Sequence, residues 1–401
     1  HPTYRFSKAM VFRVGLLSKI QAILRSHSIL SHIEVETDDD AVGSPTPINP
    51  EFKLRDYQLA AVEDILRRRK TAHEIATGGG KTVIMGDAIA KVGLKTTVLT
   101  NSTVLMHQTA KLLGKILNVE IGLVGDSIFN PKDVTVAMVQ TLEGIYDKES
   151  TAPNKSDKIS LIEDTKFLIV DECHRIAAKT IFDLSGGFRN AKCAAFFTAT
   201  MRRLDGKDLD LEAASGPIYY SVDMHSLVEA GWLVRPHVYY LKVPPRYVSP
   251  KDSHLTTSKV YNALREFHID GYQERTELVA EAAAALASAG HSTLVAVRHI
   301  AHGNAIKELL PTAVEIYAET YGRVSLFEKF REGEIPIVIS TLCKEGIDIP
   351  RCSAVVIAHD TQDAQQTVGR ALRLYQGKTK AIVVHMVDEH PIFRKHIKLN
   401  E

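Results

Sequence analysis

The run Ile75-Ala76-Thr77-Gly78-Gly79-Gly80-Lys81-Thr82 sets three consecutive glycines, a lysine and a hydroxyl directly ahead of a helical pattern. Glycines lack a Cβ, so successive backbone N–H groups can curl around a phosphate, and the helix N-terminus adds partial positive charge. Lys81 is then placed to reach the β- and γ-phosphates, and the Thr82 hydroxyl to ligate Mg²⁺. Thr77, Gly78, Gly79, Gly80, Lys81 and Thr82 therefore read as a phosphate cradle for ATP. Ile75 departs from the strict pattern, which has a glycine there. The bland alternative is a flexible glycine-rich turn; G-K-T opening a helix argues against it.

A second group, Asp171-Glu172-Cys173-His174, closes the apolar run Phe167 to Val170. A carboxylate at the carboxyl end of a buried strand points to where ligands bind in open α/β sheets. Asp171 reads as the Mg²⁺ holder, through water, and Glu172 as the group that polarises the attacking water. Alone, two acids after a strand fit a solvated loop; behind a phosphate loop they fit catalysis. A third group is Gln366-Thr367-Val368-Gly369-Arg370-Ala371-Leu372-Arg373. On a helix, Gln366, Arg370 and Arg373 share one face. Guanidiniums there can clamp the charge of a γ-phosphate, although a lone arginine pair is more often surface.

Such groups need rigid supports. Short apolar runs at Thr97 to Thr100, Val134 to Met138, Phe167 to Val170 and Ala194 to Phe197 alternate with helical patterns at Asp56 to Lys70 and Thr103 to Leu113. The alternation returns with strands at Thr293 to Val297, Val314 to Tyr317, Pro336 to Ser340, Ala354 to Ala358 and Ala381 to His385. Helices at Ile300 to Leu310, Val324 to Arg331 and Gln362 to Leu374 intervene, and Val260 to Ala289 leads in. Strand–helix alternation with continuously apolar strands means parallel sheets covered on both faces. The expected fold class is α/β, with two parallel-sheet lobes in tandem. A basic piece and linker span 1–47, a first lobe 48–235 and a second 236–401, the two lobes joined near Arg235 to Pro245. The N-terminal piece has a helical pattern from Leu16 to Leu24 and a strand-like run His32 to Val35. Asp38 to Asp40 and Gly43-Ser44-Pro45-Thr46-Pro47 read as its linker.

The chain has 401 residues, 45% hydrophobic and 24% charged, the balance of an ordinary globular protein. No apolar run approaches a bilayer span, Ala280 to Ala289 being short and Ala-rich. Cys173, Cys193, Cys343 and Cys352 form no C-x-x-C pair, so neither zinc nor a disulfide framework is indicated and a reducing, cytoplasmic compartment is expected. The net charge is +1, so any grip on a polyanion must be local. The chain opens at His1 without a Met, which leaves open whether residues precede it.

Asp171-Glu172-Cys173-His174 resembles the Asp-Glu-x-His box of helicase superfamily 2, and further boxes follow in order from about Phe52 to His385. Leu54-Arg55-Asp56-Tyr57-Gln58 resembles the adenine-reading segment, which implies that Gln58 bonds the adenine edge and Arg55 packs against the base. Val98 to Gln108 and Val134 to Leu142 resemble strand-touching boxes, and Thr198-Ala199-Thr200 resembles the box coupling hydrolysis to movement. Ser340 to Pro350 resembles the fifth box, implying nucleotide contacts at Gly346 and Asp348. Gln366 to Arg373 fits the sixth, Q-x-x-G-R-x-x-R. The resemblance implies two RecA-like lobes that hydrolyse ATP with Mg²⁺, His174 relaying to Thr198 and Thr200. Nucleic acid would meet Asn101, Thr141, His299 and Thr341.

Thr198 to Gly206, Gly216-Pro217, Leu227 to Gly231 and Val295 to Ile306 resemble phage branched-DNA helicases of the UvsW type, then the translocase subunits of type I restriction enzymes. Met201, where many relatives have Pro, is a departure. The implied partner is DNA at forks, four-way junctions or displaced loops, handled by a monomer. The alternatives are a double-strand translocase, an RNA helicase and a slow nucleotide-gated clamp.

Weaker features have two readings each. Arg67-Arg68-Arg69-Lys70 suits a helix C-terminus through the macrodipole, or phosphate. His299 and His302 suit solvated loop positions, or a nucleic-acid backbone. Trp232, beside Tyr219 and Tyr220, suits packing or base stacking. The N-terminal piece, with Tyr4, Phe6 and Phe12 among its cations, suits DNA contact or a small accessory domain's core.

Overall fold

The computed structural model describes residues 16–27, 43–143, 145, 153–176, 178–199, 208–244, 246, 258–342, 349–360, 365–390 and 393. The chain divides into two compact units, His1–Ala76 with Gly80–Asp223, and Met224–Glu401 with Thr77–Gly79.

Among the described residues, the first unit has eight strands: β1 Lys70–Ile75, β2 Thr96–Thr100, β3 Gly122–Gly125, β4 Ile128–Asn130, β5 Val134–Met138, β6 Phe167–Val170, β7 Cys193–Thr198 and β8 Ile218–Val222. Their order is β4-β3-β5-β2-β6-β7-β1-β8. All neighbours run parallel except the β3–β4 hairpin. Alternate side chains divide between two cores, as the pleat requires. Val98, Val136, Ile169 and Phe197 pack on one face against Ile65, Ile84, Met85, Met106 and Leu113 of the helices Asp56–Arg68, Lys81–Val92 and Thr103–Leu117. Leu99, Ala137, Leu168, Val170 and Phe196 pack on the other. Each large aliphatic side chain so buried stabilises by about 1.5–3 kcal/mol. The turn residues read as a linker lie along this unit: Gly43 and Thr46 N–H groups donate to Val92 and Ala90 carbonyls at 2.8 and 2.9 Å. Of the N-terminal piece, the helix Leu17–Ser26 is described, with Lys19 paired to Glu212. The strand-like run His32 to Val35 lies outside the described residues.

The second unit's described strands are β9 Arg235–Lys242, β10 Thr293–Ala296, β11 Val314–Ile316, β12 Ile337–Ser340, β13 Ala354–Ile357 and β14 Lys380–Val387. They form an all-parallel sheet in the order β11-β12-β10-β13-β14-β9. The stretch expected to join the lobes is therefore an edge strand. Val238, Tyr239 and Tyr240 have strand-forming side chains, and Pro236, which lacks a donor, is tolerated at an edge.

The expected continuous helix Val260 to Ala289 is broken into Ser258–Arg265, a π turn at Glu266–Asp270 and a helix Gln273–Ser288. That last helix carries Arg275, fully buried, which donates to both Asp388 carboxylate oxygens at 2.8 and 3.2 Å and to the Ala358 carbonyl at 2.7 Å. A buried charge is tolerated only with such complete pairing. No helix among the described residues is long and apolar enough to cross a membrane.

Candidate functional site

In the first unit the chemistry-bearing residues lie at the carboxyl ends of three adjacent parallel strands, β6, β7 and β1. After β1 the chain turns through Gly78 at φ +86° and Gly80 at φ +74°, left-handed conformations that favour glycine. Gly80 is also crowded: a Cβ there would stand 2.5 Å from the Gln58 side-chain nitrogen. The helix Lys81–Val92 begins directly afterwards, Gly80 being its N-cap. Its first turn leaves N–H groups without intrahelical acceptors, aimed at the loop.

Gln58 is buried and closes the start of the helix Asp56–Arg68, its Oε1 accepting from the Arg55 N–H at 2.9 Å. Arg55 donates to the Tyr57 hydroxyl at 2.9 Å, and Tyr220 from β8 donates to the Tyr57 carbonyl at 2.9 Å. The segment Leu54 to Gln58 is thus pinned beside the glycine-rich loop by local capping and by β8.

Asp171 follows β6 and is buried; its Oδ1 accepts from the Glu172 N–H at 2.9 Å. Burial, then the neighbouring Glu172 charge, pushes its carboxyl above the usual carboxylate range, against the pull of Lys81. Burial penalises this charge enough that a cation beside it would be strongly favoured. Glu172 has left-handed backbone, φ 48°, which directs its carboxylate to Lys81, Oε1 to Nζ 2.5 Å. Its other oxygen lies 3.4 Å from His174 Nδ1, and that nitrogen is 2.6 Å from the Thr198 hydroxyl at the end of β7. Lys81, Glu172, His174 and Thr198 are one continuous chain of polar contacts.

Farther along the same edge, β2 and β5 are neighbours, so Asn101 and Thr141 come together. The Gln140 side chain donates to the Asn101 carbonyl at 3.1 Å. In the second unit β10 and β12 are neighbours, placing His299 and Thr341 at adjacent carboxyl ends. His299 Nδ1 sits 2.7 Å from Asp270, the residue that ends the π turn. His302, read as a loop residue, is instead buried in the helix Ile300–Leu309, 3.4 Å from the other Asp270 oxygen. Burial holds its pKa down, partly offset by Asp270.

Arg373 follows the helix Gln365–Ala371, and burial with the adjacent Arg331 charge lowers its pKa to about 10, so it stays cationic at neutral pH. Gln366 and Arg370 lie on that helix with side chains outside the described residues; Thr200, Gly346 and Asp348 lie outside them altogether. Trp232, which suits packing or base stacking, is 38% exposed.

Sequence reasoning missed the residue that organises the helix before the phosphate loop. Asp64, buried, accepts from Arg67 at 2.8 Å, Arg68 at 2.7 Å and Thr71 at 3.0 Å, with His73 at 3.3 Å. The basic run is thus held by an acid three and four residues back, a spacing visible in the sequence.

Two family descriptions match the chain: "Type III restriction enzyme, res subunit" over residues 51–203, and "Helicase conserved C-terminal domain" over 276–375. The chain is 23% identical to the DNA 3'-5' translocase XPB2 of Sulfurisphaera tokodaii, covering 88% of this chain and 86% of that one. It is 23% identical to the ATP-dependent DNA helicase uvsW of Enterobacteria phage T4, covering 83% and 68% respectively. Among solved structures, the DUF1998 helicase MrfA bound to DNA aligns over 90% of this chain with a TM-score of 0.63 and 15% identity. This chain spans 51% of MrfA.

Proposed function

Since the chain is an ATP-dependent helicase of superfamily 2, we propose that it is a DNA motor whose substrates are branched: forks, four-way junctions and displaced loops. The observation that supports the motor part of this reading best is the run of polar contacts from Lys81 through Glu172 and His174 to Thr198, and the branched preference draws on the likeness to the ATP-dependent DNA helicase uvsW. That run ties the phosphate loop to the coupling box at the ends of three adjacent strands.

In the proposed cycle, the loop N–H groups and Lys81 bind the β- and γ-phosphates of ATP, and Gln58 reads the adenine edge. Lys81 must leave Glu172 to do so, which frees that carboxylate to orient and polarise the attacking water. Asp171 and Thr82 would hold Mg²⁺, which when bound offsets phosphate charge. Arg370 and Arg373 supply the positive charge that stabilises the γ-phosphoryl in transfer. His174, touching both Glu172 and Thr198, passes the change at the nucleotide to the Thr198-Ala199-Thr200 segment. Asn101 and Thr141 in one unit, with His299 and Thr341 in the other, would meet the DNA backbone, so little sequence preference is expected. The active species is taken as a monomer.

A second reading, translocation along duplex without strand separation, draws on the likeness to the DNA 3'-5' translocase XPB2 of Sulfurisphaera tokodaii. The purified chain should be assayed for ATP hydrolysis and strand displacement on a fork, a four-way junction and a linear duplex. Hydrolysis with displacement, best on the junction, supports the proposal. Hydrolysis without displacement supports translocation, and equal behaviour on all three substrates removes the branched preference.

A further inference from the structure

We infer that Lys378 is a positioning residue for ATP hydrolysis, an ammonium clasp that fixes the arginine box to the end of the fifth box. The inference rests on the assignment of Arg373 to the γ-phosphate made above. Lys378 Nζ donates to the carbonyls of Pro350 at 2.9 Å, Cys352 at 2.7 Å and Arg373 at 2.8 Å. An ammonium has three N–H donors, and all three are used. No acidic side chain pairs with Lys378 among the described residues.

The geometry is built for this contact. After the helix Gln365–Ala371, the Leu372 carbonyl accepts from Val234 at 2.8 Å, and Arg373 forms a bridge with Leu233. The chain then turns through Gly377 at φ +77°, with the Lys378 N–H bonded to the Tyr375 carbonyl at 3.0 Å. That turn brings the Lys378 side chain back beneath the Arg373 backbone. On the other side of the clasp, Pro350 ends the fifth-box sequence, and Cys352 leads into β13, its N–H bonded to the Ile349 carbonyl at 3.1 Å. Two segments read as nucleotide-facing boxes, which no strand pairing joins among the described residues, are therefore joined by one side chain.

Placing a half-buried cation against carbonyl dipoles alone is costly, and burial with the nearby Arg373 charge holds its pKa down to about 8. It is still protonated at neutral pH, so the third donor is present. An arginine finger works only if its guanidinium is placed to within a fraction of an ångström, because its benefit is concentrated in the transition state. Loosening the Arg373 backbone should then lower kcat while leaving ground-state ATP binding alone.

The test measures kcat and KM for ATP at saturating single-stranded DNA in the full chain. It compares wild type, Lys378→Met, Lys378→Gln and Lys378→Arg, with Arg373→Ala as benchmark. Rates are expressed per DNA-binding-competent molecule, so that loss of folded protein does not register. Lys378→Met is expected to lower kcat by about tenfold or more with KM changed less than about threefold. Lys378→Gln, which keeps two donors on a shorter reach and serves if the Met variant does not fold, should fall in the same direction. Lys378→Arg, with a cationic donor fork, should stay within about threefold of wild type. Wild-type kcat in both the Met and Gln variants, beside a depressed Arg373→Ala, would overturn the clasp and leave the arginine assignment standing. Wild-type kcat in Arg373→Ala, or a wild-type chain that does not hydrolyse ATP, would instead remove the reading on which the clasp rests.

Discussion

Replacing Glu172 by Gln separates the two jobs proposed for the Asp171-Glu172 pair. In the structure Glu172 accepts from Lys81 at 2.5 Å, and the two side chains are 18% and 12% exposed. A hydrogen bond between charged groups at a shielded position contributes about 1.5–3 kcal/mol, and a bond from the same ammonium to a neutral amide oxygen about 0.5–1.5 kcal/mol. The substitution therefore weakens the internal competitor for Lys81 by about 1 kcal/mol, equivalent to roughly fivefold in nucleotide affinity. The Mg²⁺ attachment proposed for Asp171 and Thr82 is untouched, so ATP should bind as well as in wild type, or up to about fivefold more tightly. Turnover should fall by roughly 10²–10⁴, the usual contribution of a positioned general base. A fluorescent-nucleotide titration with Mg²⁺ and a coupled ATPase assay read the two quantities separately. Nucleotide affinity weakened more than about tenfold, with turnover kept within tenfold, would show that the roles of the two carboxylates are reversed.

Other expectations follow from the same contacts. Lys81→Ala should abolish hydrolysis, since it removes the ammonium proposed to meet the β- and γ-phosphates, and a steady-state rate above background in this variant would remove the phosphate-loop assignment. Thr198→Val removes the hydroxyl 2.6 Å from His174 and should leave ATP hydrolysis within about tenfold while lowering base pairs displaced per ATP; unchanged displacement would break the proposed relay. Asp64→Asn should destabilise the first unit by about 1–3 kcal/mol at pH 7 in urea unfolding, because one of the two oxygens that accept from Arg67, Arg68 and Thr71 and lie beside His73 becomes an NH₂ donor. Burial holds His73 down to about 4, partly offset by Asp64, whereas the unfolded chain takes a proton near 6.5. Unfolding is then favoured as pH falls through that window, so wild-type stability should decline between about pH 6.5 and 4; a flat profile would contradict the buried neutral His73.

Much of this was legible because the chemistry is local. The phosphate loop, the Asp171-Glu172 pair and β2, β5, β6 and β7 are written as glycines, acids and continuous apolar runs. β1 was not, because Lys70-Thr71-Ala72-His73-Glu74-Ile75 is half polar. Its Thr71 and His73 are buried only because Asp64 meets them from the preceding helix, a pairing across secondary structures that no local pattern announces. β8 and β9 were missed for a related reason: they are sheet edges with exposed tyrosines, and edges need no apolar run. His302 falls inside the helix expected over Ile300 to Leu310, but its burial did not show in the sequence; Asp270, 3.4 Å away, comes from a π turn in a segment read as plain helix. Lys378 carried no signal at all, since its partners are three backbone carbonyls, and carbonyls are the same in every sequence.

The most direct test of the motor reading is the steady-state ATPase rate of wild type and Lys81→Ala, each measured without nucleic acid and with single-stranded DNA, linear duplex, a four-way junction or RNA. The account expects a low basal rate, stimulation by DNA that is greatest with the junction, and no stimulated hydrolysis in Lys81→Ala. A wild-type rate indifferent to every nucleic acid, or a Lys81→Ala chain stimulated like wild type, would contradict it.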